Sequence, residues 1–231
     1  MINFVEKTEG PEPRRRIAAI VPAYNEEKNV GNVLKVLLSS KDLDEVILVD
    51  DGSTDKTAEI GKNLGVKVLK LSENKGKGNA MKQGLNATNA EIIVFFDADL
   101  IGLSQKHIYL LLEPMVKDNA DMCVGIRDRF FGFPKLVVKI DPLLAIGGER
   151  AIKRAILEDI PEKFIQKFAV ELALNHYCIN KKLLVKYVKL PKLSIIIKEK
   201  KYGFCKGFIS RVKMVGQIIK IRLQLCIKKQ L

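Results

Sequence analysis

Residues 91–100 read Glu-Ile-Ile-Val-Phe-Phe-Asp-Ala-Asp-Leu. The apolar run Ile92 to Phe96 is a buried strand, and it stops on two carboxylates, Asp97 and Asp99. Two carboxylates at the end of a buried strand repel each other and lose hydration, unless something positive sits between them. A hard divalent cation meets that need, because Mg²⁺ binds through one or two carboxylates together with substrate phosphates. Taken alone, Asp97-Ala98-Asp99 also fits a pair of turn and helix-cap aspartates, so its surroundings decide.

Working back from this stretch, short apolar runs alternate with helical periodicity. Ile17–Val21, Val46–Val49 and Val66–Leu71 read as strands. Val30, Val33, Leu34, Leu37 and Leu38 carry the spacing of an amphipathic helix, a second helix starts near Thr54, and a third spans Lys77–Ala87. Repeated β-α units of this length predict an α/β fold with a mostly parallel sheet covered on both faces. Ligands of such sheets bind beyond the carboxyl ends of the strands. Three polar clusters fall there: Pro22-Ala23-Tyr24-Asn25-Glu26, Asp50 to Asp55, and Asp97 to Asp99.

Within the second cluster Gly52 supplies a turn, and Ser53 or Thr54 is positioned to cap the next helix. Its extra carboxylates exceed what a turn needs, and one of them can accept from a nucleobase N–H or a ribose hydroxyl. Asn74-Lys75-Gly76-Lys77-Gly78-Asn79-Ala80 opens a helix with glycines and lysines, a combination that attracts phosphate. It is no dinucleotide fingerprint, since the third glycine is missing, and no Walker pattern occurs in the chain.

The chain has 231 residues, 47% of them hydrophobic and 29% charged, so a real core is expected. The formal net charge is +13, and Lys200 to Leu231 holds nine Lys or Arg with no acid. That stretch suits an anionic partner: nucleic acid, a membrane surface or a phosphorylated substrate. Cys123, Cys178, Cys205 and Cys226 are far apart and read as core residues in a reducing compartment. No signal peptide and no apolar run near ~20 residues is present. A cytoplasmic protein is expected, peripheral at the inner face of the cell membrane.

Beyond Asp99, Ser104–Lys117 reads as a helix and Asp121–Arg127 as a strand. Arg127–Asp141 reads as a mobile or acceptor-side loop. Gly147–Asp159 and Pro161–His176 read as helices, Leu184–Leu190 as a strand and Ser194–Ile197 as an edge strand. The apolar positions from Gly203 to Leu231 favour an amphipathic helix over a strand. The expected layout is a lead-in (1–16), a first half that carries the polar clusters (17–127), a second half (128–202) and the basic segment (203–231). His107 and His176 each lie in a helix, where a lone histidine is more often structural than a ligand.

The strings VPAYNEEKNV, VDDGSTDKT, NKGKGNAMKQG and FFDADL, in this order and spacing, resemble family 2 glycosyltransferases of the GT-A fold. The resemblance implies a metal-dependent transferase that uses a UDP- or GDP-linked sugar. It places the nucleotide sugar on Pro22, Ala23, Tyr24, Glu26, Asp51, Lys77, Asp97 and Ala98, and Mg²⁺ or Mn²⁺ on Asp97 and Asp99. Gly125-Ile126-Arg127 resembles polyprenyl-phosphate (dolichyl-phosphate) sugar synthases. Gly147-Gly148-Glu149-Arg150-Ala151 and Phe168-Ala169-Val170-Glu171 resemble glucosyl-3-phosphoglycerate synthases. Both imply a phosphate-bearing acceptor, with Arg127, Gly148, Glu149 and Arg150 as its contacts. Glu171 is then the candidate general base for a hydroxyl acceptor, or a positioning group for a phosphate acceptor. The chain departs from the first subgroup at Ile101, where glutamine is usual, and from the second in having no histidine within Leu193–Ile197. A sugar-1-phosphate nucleotidyltransferase would carry a G-x-G-T-R-type loop after its first strand, which this chain lacks. Nucleic acid is not expected as a partner, because the carboxylate clusters would repel its backbone.

Overall fold

The computed structural model describes residues 14–127, 148–160 and 170–195. The expectations for residues 1–13, the loop beyond Arg127, residues 161–169 and the basic C-terminal segment lie outside the described residues. The elements run β1 (Ile17–Ala23), α1 (Val30–Leu38), β2 (Glu45–Asp50), α2 (Thr57–Asn63), β3 (Lys67–Lys70), α3 (Lys77–Asn86) and β4 (Ile92–Phe95). There follow β5 (Leu100–Ile101), α4 (Gln105–Val116), β6 (Met122–Arg127), β7 (Arg150–Lys153), α5 (Arg154–Asp159), α6 (Val170–Asn180), β8 (Val185–Leu190) and β9 (Ser194–Ile195).

One sheet of seven strands carries the molecule, in the order β3-β2-β1-β4-β7-β6-β8. Every pairing is parallel except those of β7, which runs against both β4 and β6. Side chains alternate across the pleat, so each buried strand feeds two cores. Ala19, Val21, Leu48, Val94 and Phe96 pack with α1 and α4 on one face. Ala18, Ile20, Val49, Ile93 and Phe95 pack with α3, α5 and α6 on the other.

Register decides where the polar clusters meet. Ala23 lies beside Asp50, Ile20 beside Phe95, and Phe95 beside Arg150. The carboxyl ends of β1, β2, β4 and β6 therefore share one edge with the start of β7.

Some expectations are corrected. Gly147–Asp159 is not one helix: Arg150–Lys153 is the antiparallel strand β7, and only Arg154–Asp159 is helical. The helix ending the acceptor half runs past His176 to Asn180. The helix expected near Thr54 starts at Thr57, and neither Ser53 nor Thr54 caps it. Asp55 Oδ1 instead accepts from Thr57 N at 2.9 Å. Leu38, placed on the apolar stripe of α1, is exposed. Ser194–Ile195 pairs with β5 in a separate two-stranded sheet. Cys123 and Cys178 are buried and unbridged, and burial pushes each thiol up to about 12. Among the described residues no helix is long and apolar enough to cross a membrane.

Candidate active site

The loops after β1 and β2 are stitched together by side chains that reach across to backbone amides. Asn25, in the left-handed region at φ 53°, donates its N–H to Ser53 Oγ at 2.9 Å and accepts from Thr54 N at 3.0 Å. Glu26 N donates to Thr57 Oγ1 at 2.8 Å, and Glu27 N to Asp55 Oδ2 at 3.1 Å. Burial alone would raise the Asp55 carboxyl, but the hydrogen bonds from Thr57 and Glu27 outweigh it and hold it below its ordinary value. Gly52, at φ 76°, lies so close to the next loop that a Cβ would fall 2.7 Å from the Glu73 carbonyl carbon.

Asp51 is buried, and its carboxylate grips the loop before α3. Oδ1 accepts from Lys75 N at 3.0 Å and Oδ2 from Gly76 N at 2.8 Å. Ala23 is buried, Pro22 and Glu26 are half-buried, and Tyr24 stands 41% exposed. Asp51 thus fixes the backbone that aims Lys77 at the edge of the sheet.

From there a chain of charges crosses to the second half. Lys77 Nζ, on the first residue of α3, lies 2.7 Å from Asp97 Oδ1 and 2.7 Å from Glu171 Oε1. Burial opposes its charge, yet Asp97 and then Glu171 outweigh this and hold the ammonium well above its ordinary pKa. Arg127 Nη1 reaches Asp97 Oδ2 at 3.6 Å, and Arg127 Nε reaches Glu149 Oε2 at 3.2 Å. Burial, then the nearby Asp97 carboxylate, pushes the Glu149 carboxyl up to about 7 against the pull of Arg127 and Lys77. Arg150 Nη1 lies behind α6, 3.4 Å from both the Glu171 carbonyl and Asn175 Oδ1. Burial lowers the pKa of its guanidinium, against the pull of Glu171.

The expected residues therefore meet in two groups: Tyr24, Glu26 and Asp51 at the β1–β2 loops, and Asp97, Glu171, Arg127, Gly148, Glu149 and Arg150 around Lys77. Glu149 and Arg150, expected as acceptor contacts, are fully buried, and Arg127 is 7% exposed. Here they brace Asp97 and Glu171 from behind, because β7 inserts its first residues into the middle of the sheet. Of the two histidines, His107 caps α4 with Ser104 and bridges to the Pro191 carbonyl at 2.9 Å, while His176 pairs with Asn180. Asn25, Ser53, Asp55, Thr57 and Asn175 carry contacts that sequence reasoning missed. The first four sat inside quoted motifs, but their partners lie on another loop.

Among the described residues no group of three or more His, Cys, Asp or Glu is placed to hold a metal ion. Asp97 and Asp99 supply two hard oxygen donors, both half-buried around the buried Ala98. A Cβ on residue 148 would fall 2.3 Å from Asp97 Oδ2, so this carboxylate packs where only glycine admits it. Two carboxylates are the donor set of a hard divalent cation that draws its other ligands from a diphosphate and water.

The family model described as glycosyl transferase family 2 matches residues 18–171. The chain belongs to glycosyl transferase family 2. Its sheet is the GT-A arrangement that the sequence resemblance implies. Among relatives of this family 2 chain, the glucosyl-3-phosphoglycerate synthase of Mycolicibacterium smegmatis is 29% identical over 202 residues, covering 74% of this chain and 66% of the relative. The synthase of the same name from Petrotoga mobilis is 32% identical, over 68% of this chain and 59% of its own length. A UDP-N-acetylglucosamine–dolichyl-phosphate N-acetylglucosaminyltransferase from Methanococcus voltae is 35% identical, over 48% and 51%. The chain thus spans about half to two thirds of the length of these curated relatives. A crystal structure of the Mycobacterium tuberculosis glucosyl-3-phosphoglycerate synthase, with Mn²⁺, UDP and glucosyl-3-phosphoglycerate, superposes with a TM-score of 0.67 at 26% identity. The match covers 78% of this chain and 72% of that one.

Proposed function

We propose that this family 2 chain transfers a hexose from a UDP- or GDP-linked sugar to a phosphate-bearing acceptor, with Mg²⁺ or Mn²⁺ at Asp97 and Asp99. The observation that carries this reading is Lys77, which joins the loop held by Asp51 to Asp97 and Glu171 at one point on the sheet edge. A nucleotide laid along the β1–β2 loops, with its base against Tyr24, brings its diphosphate to Lys77. A cation bound at Asp97 and Asp99 offsets charge on the departing diphosphate. Lys77 donates to the same phosphates, and the α3 N-terminus points its amides at them. Glu171 faces this point, where it accepts the proton of a hydroxyl acceptor or orients a phosphate acceptor. Arg127, Glu149 and Arg150, implied as acceptor contacts by the resemblance, serve instead to position Asp97 and Glu171 beside the phosphates.

A small soluble acceptor of the phosphoglycerate kind is favoured by the long match to the phosphoglycerate synthases, 74% of the chain. Dolichyl or polyprenyl phosphate is the second reading, favoured by the nine cations of Lys200–Leu231, which suit an anionic membrane surface. Thermal-shift measurements with UDP-, GDP- and dTDP-sugars plus Mn²⁺ or Mg²⁺ test the donor, because a ligand bound only by the folded state raises its melting point. One donor should stand out, and Asp99→Asn should abolish its metal-dependent shift while leaving the fold intact. A parent-like shift in Asp99→Asn would refute the metal assignment. Product formation with 3-phosphoglycerate against vesicle-borne dolichyl phosphate, with co-sedimentation on anionic vesicles, separates the acceptors.

A further inference from the structure

Lys77 holds two carboxylates at once, Asp97 Oδ1 and Glu171 Oε1, each at 2.7 Å. Asp97 is approached from its other oxygen by Arg127 at 3.6 Å. A divalent ion bonds a carboxylate oxygen at about 2.1 Å, and an ammonium hydrogen-bonded to that oxygen would then stand within a few ångströms of it. Like charges at that separation repel strongly even at the effective dielectric of a protein surface. The ammonium and the ion therefore compete for Asp97.

We propose that Lys77 is a built-in competitor of the divalent cation at Asp97, which the donor's diphosphate relieves by drawing the ammonium onto its own oxygens. The proposal rests on the reading of Asp97 and Asp99 as metal ligands. Two features of the chain suit Lys77 to this exchange. Its backbone end is fixed, since Asp51 holds the amides of Lys75 and Gly76 just before it. Its flexible four-carbon stem can swing while Glu171 keeps a hold on the charge. Metal and nucleotide then bind with positive coupling, which is reciprocal: each raises the affinity of the other by the same factor.

Mn²⁺ binding to the whole chain, read by electron paramagnetic resonance with and without UDP, tests this. The parent should bind Mn²⁺ weakly alone and at least about tenfold more tightly with UDP. Lys77→Met should bind Mn²⁺ alone at least about tenfold more tightly than the parent and lose most of the enhancement by UDP. Lys77→Arg, which keeps the cation, should stay close to the parent. Lys77→Met binding Mn²⁺ alone no more tightly than the parent overturns the competition while leaving the metal assignment standing. A parent that binds no Mn²⁺ with either UDP or GDP overturns the functional reading itself. Should Lys77→Met fail to fold, the Cε resonance of Lys77 in the parent, followed by NMR, decides. It should shift when Mg²⁺ and UDP are added together, and an unmoved resonance overturns the proposal.

Discussion

Replacing Gly148 by alanine would place a methyl group where the Asp97 carboxylate lies. The new Cβ falls 2.3 Å from Oδ2 and 2.6 Å from both Cγ and Oδ1, whereas ordinary contact starts at 3.4 Å. Relief requires the carboxylate to retreat by about 1 Å, the gap between those two limits. Asp97 cannot turn away without cost, because Lys77 holds one oxygen and Arg127 approaches the other. The group that moves is the end of a side chain, so the fold should lose only about 1 kcal/mol, the scale of an off-rotamer torsion. Function is less forgiving: metal–ligand distances tolerate shifts of about 0.2 Å, and disturbing a group that orients a metal ligand costs about 10- to 100-fold in metal affinity. Gly148→Ala should therefore reduce Mn²⁺-dependent UDP affinity by about 10- to 100-fold, read by calorimetry, while its urea midpoint barely moves. Affinity within threefold of the parent would refute the reasoning, because Asp97 would then have no part in holding the ion. Outright unfolding would refute it differently, by showing that more than one side chain is crowded.

Asp51→Ala removes two hydrogen bonds to an ionised carboxylate and should cost about 2 kcal/mol in urea unfolding. It should also weaken UDP binding, and unchanged nucleotide affinity would confine Asp51 to holding the loop. Glu149 has a folded-state pKa raised from 4.5 to about 7. The native state therefore keeps a proton that the unfolded chain has lost, and this group's contribution to stability falls as pH rises from 4.5 to about 7. Glu149→Gln should flatten that decline when urea midpoints at pH 5 and 7.5 are compared with the parent, and an identical pH slope would count against the assignment. Arg150→Met deprives Asn175 and the Glu171 carbonyl of a donor and the carboxylates of a buried cation. It should cost about 3 kcal/mol, and a loss under about 1 kcal/mol would mean that Arg150 is not the brace inferred for it.

Legibility from sequence differed sharply between the two halves. Ile17–Ala23, Glu45–Asp50 and Ile92–Phe95 are buried on both faces, so each is a plain apolar run ending in polar residues. That contrast marks both the strand and the edge where ligands bind. β7 carries no such mark. It is four residues long and opens with an arginine of 0% exposure, a residue type that normally signals surface. Its burial is intelligible only once Glu171 and Asn175 are known to face it, and those lie on another helix. The expected residues at 149 and 150 were thus found at the site but on its inner side. Helix starts failed for a related reason: Asp55, Ser53 and Thr54 are all competent caps, and the choice among them depends on Asn25 and Glu27 across the gap.

The antiparallel strand β7 also orders the events of folding. β1, β2, β3 and β4 lie together on one side of it and come from a contiguous stretch of chain, with β4 leaving its other edge for β7. β6 hydrogen-bonds only to β7 and β8, both of which come later in the sequence. During synthesis on the ribosome Met122–Arg127 would therefore emerge before any strand that can pair with it, and β4 would keep an open apolar flank. Such unpaired edges are templates for aggregation, and late, non-local closure slows folding. The four residues Arg150–Lys153 are thus the latch whose arrival covers the open flank of β4 and one edge of β6, the other edge waiting for β8. Weakening that latch should show first as misfolding of the nascent chain, ahead of any loss in the finished protein.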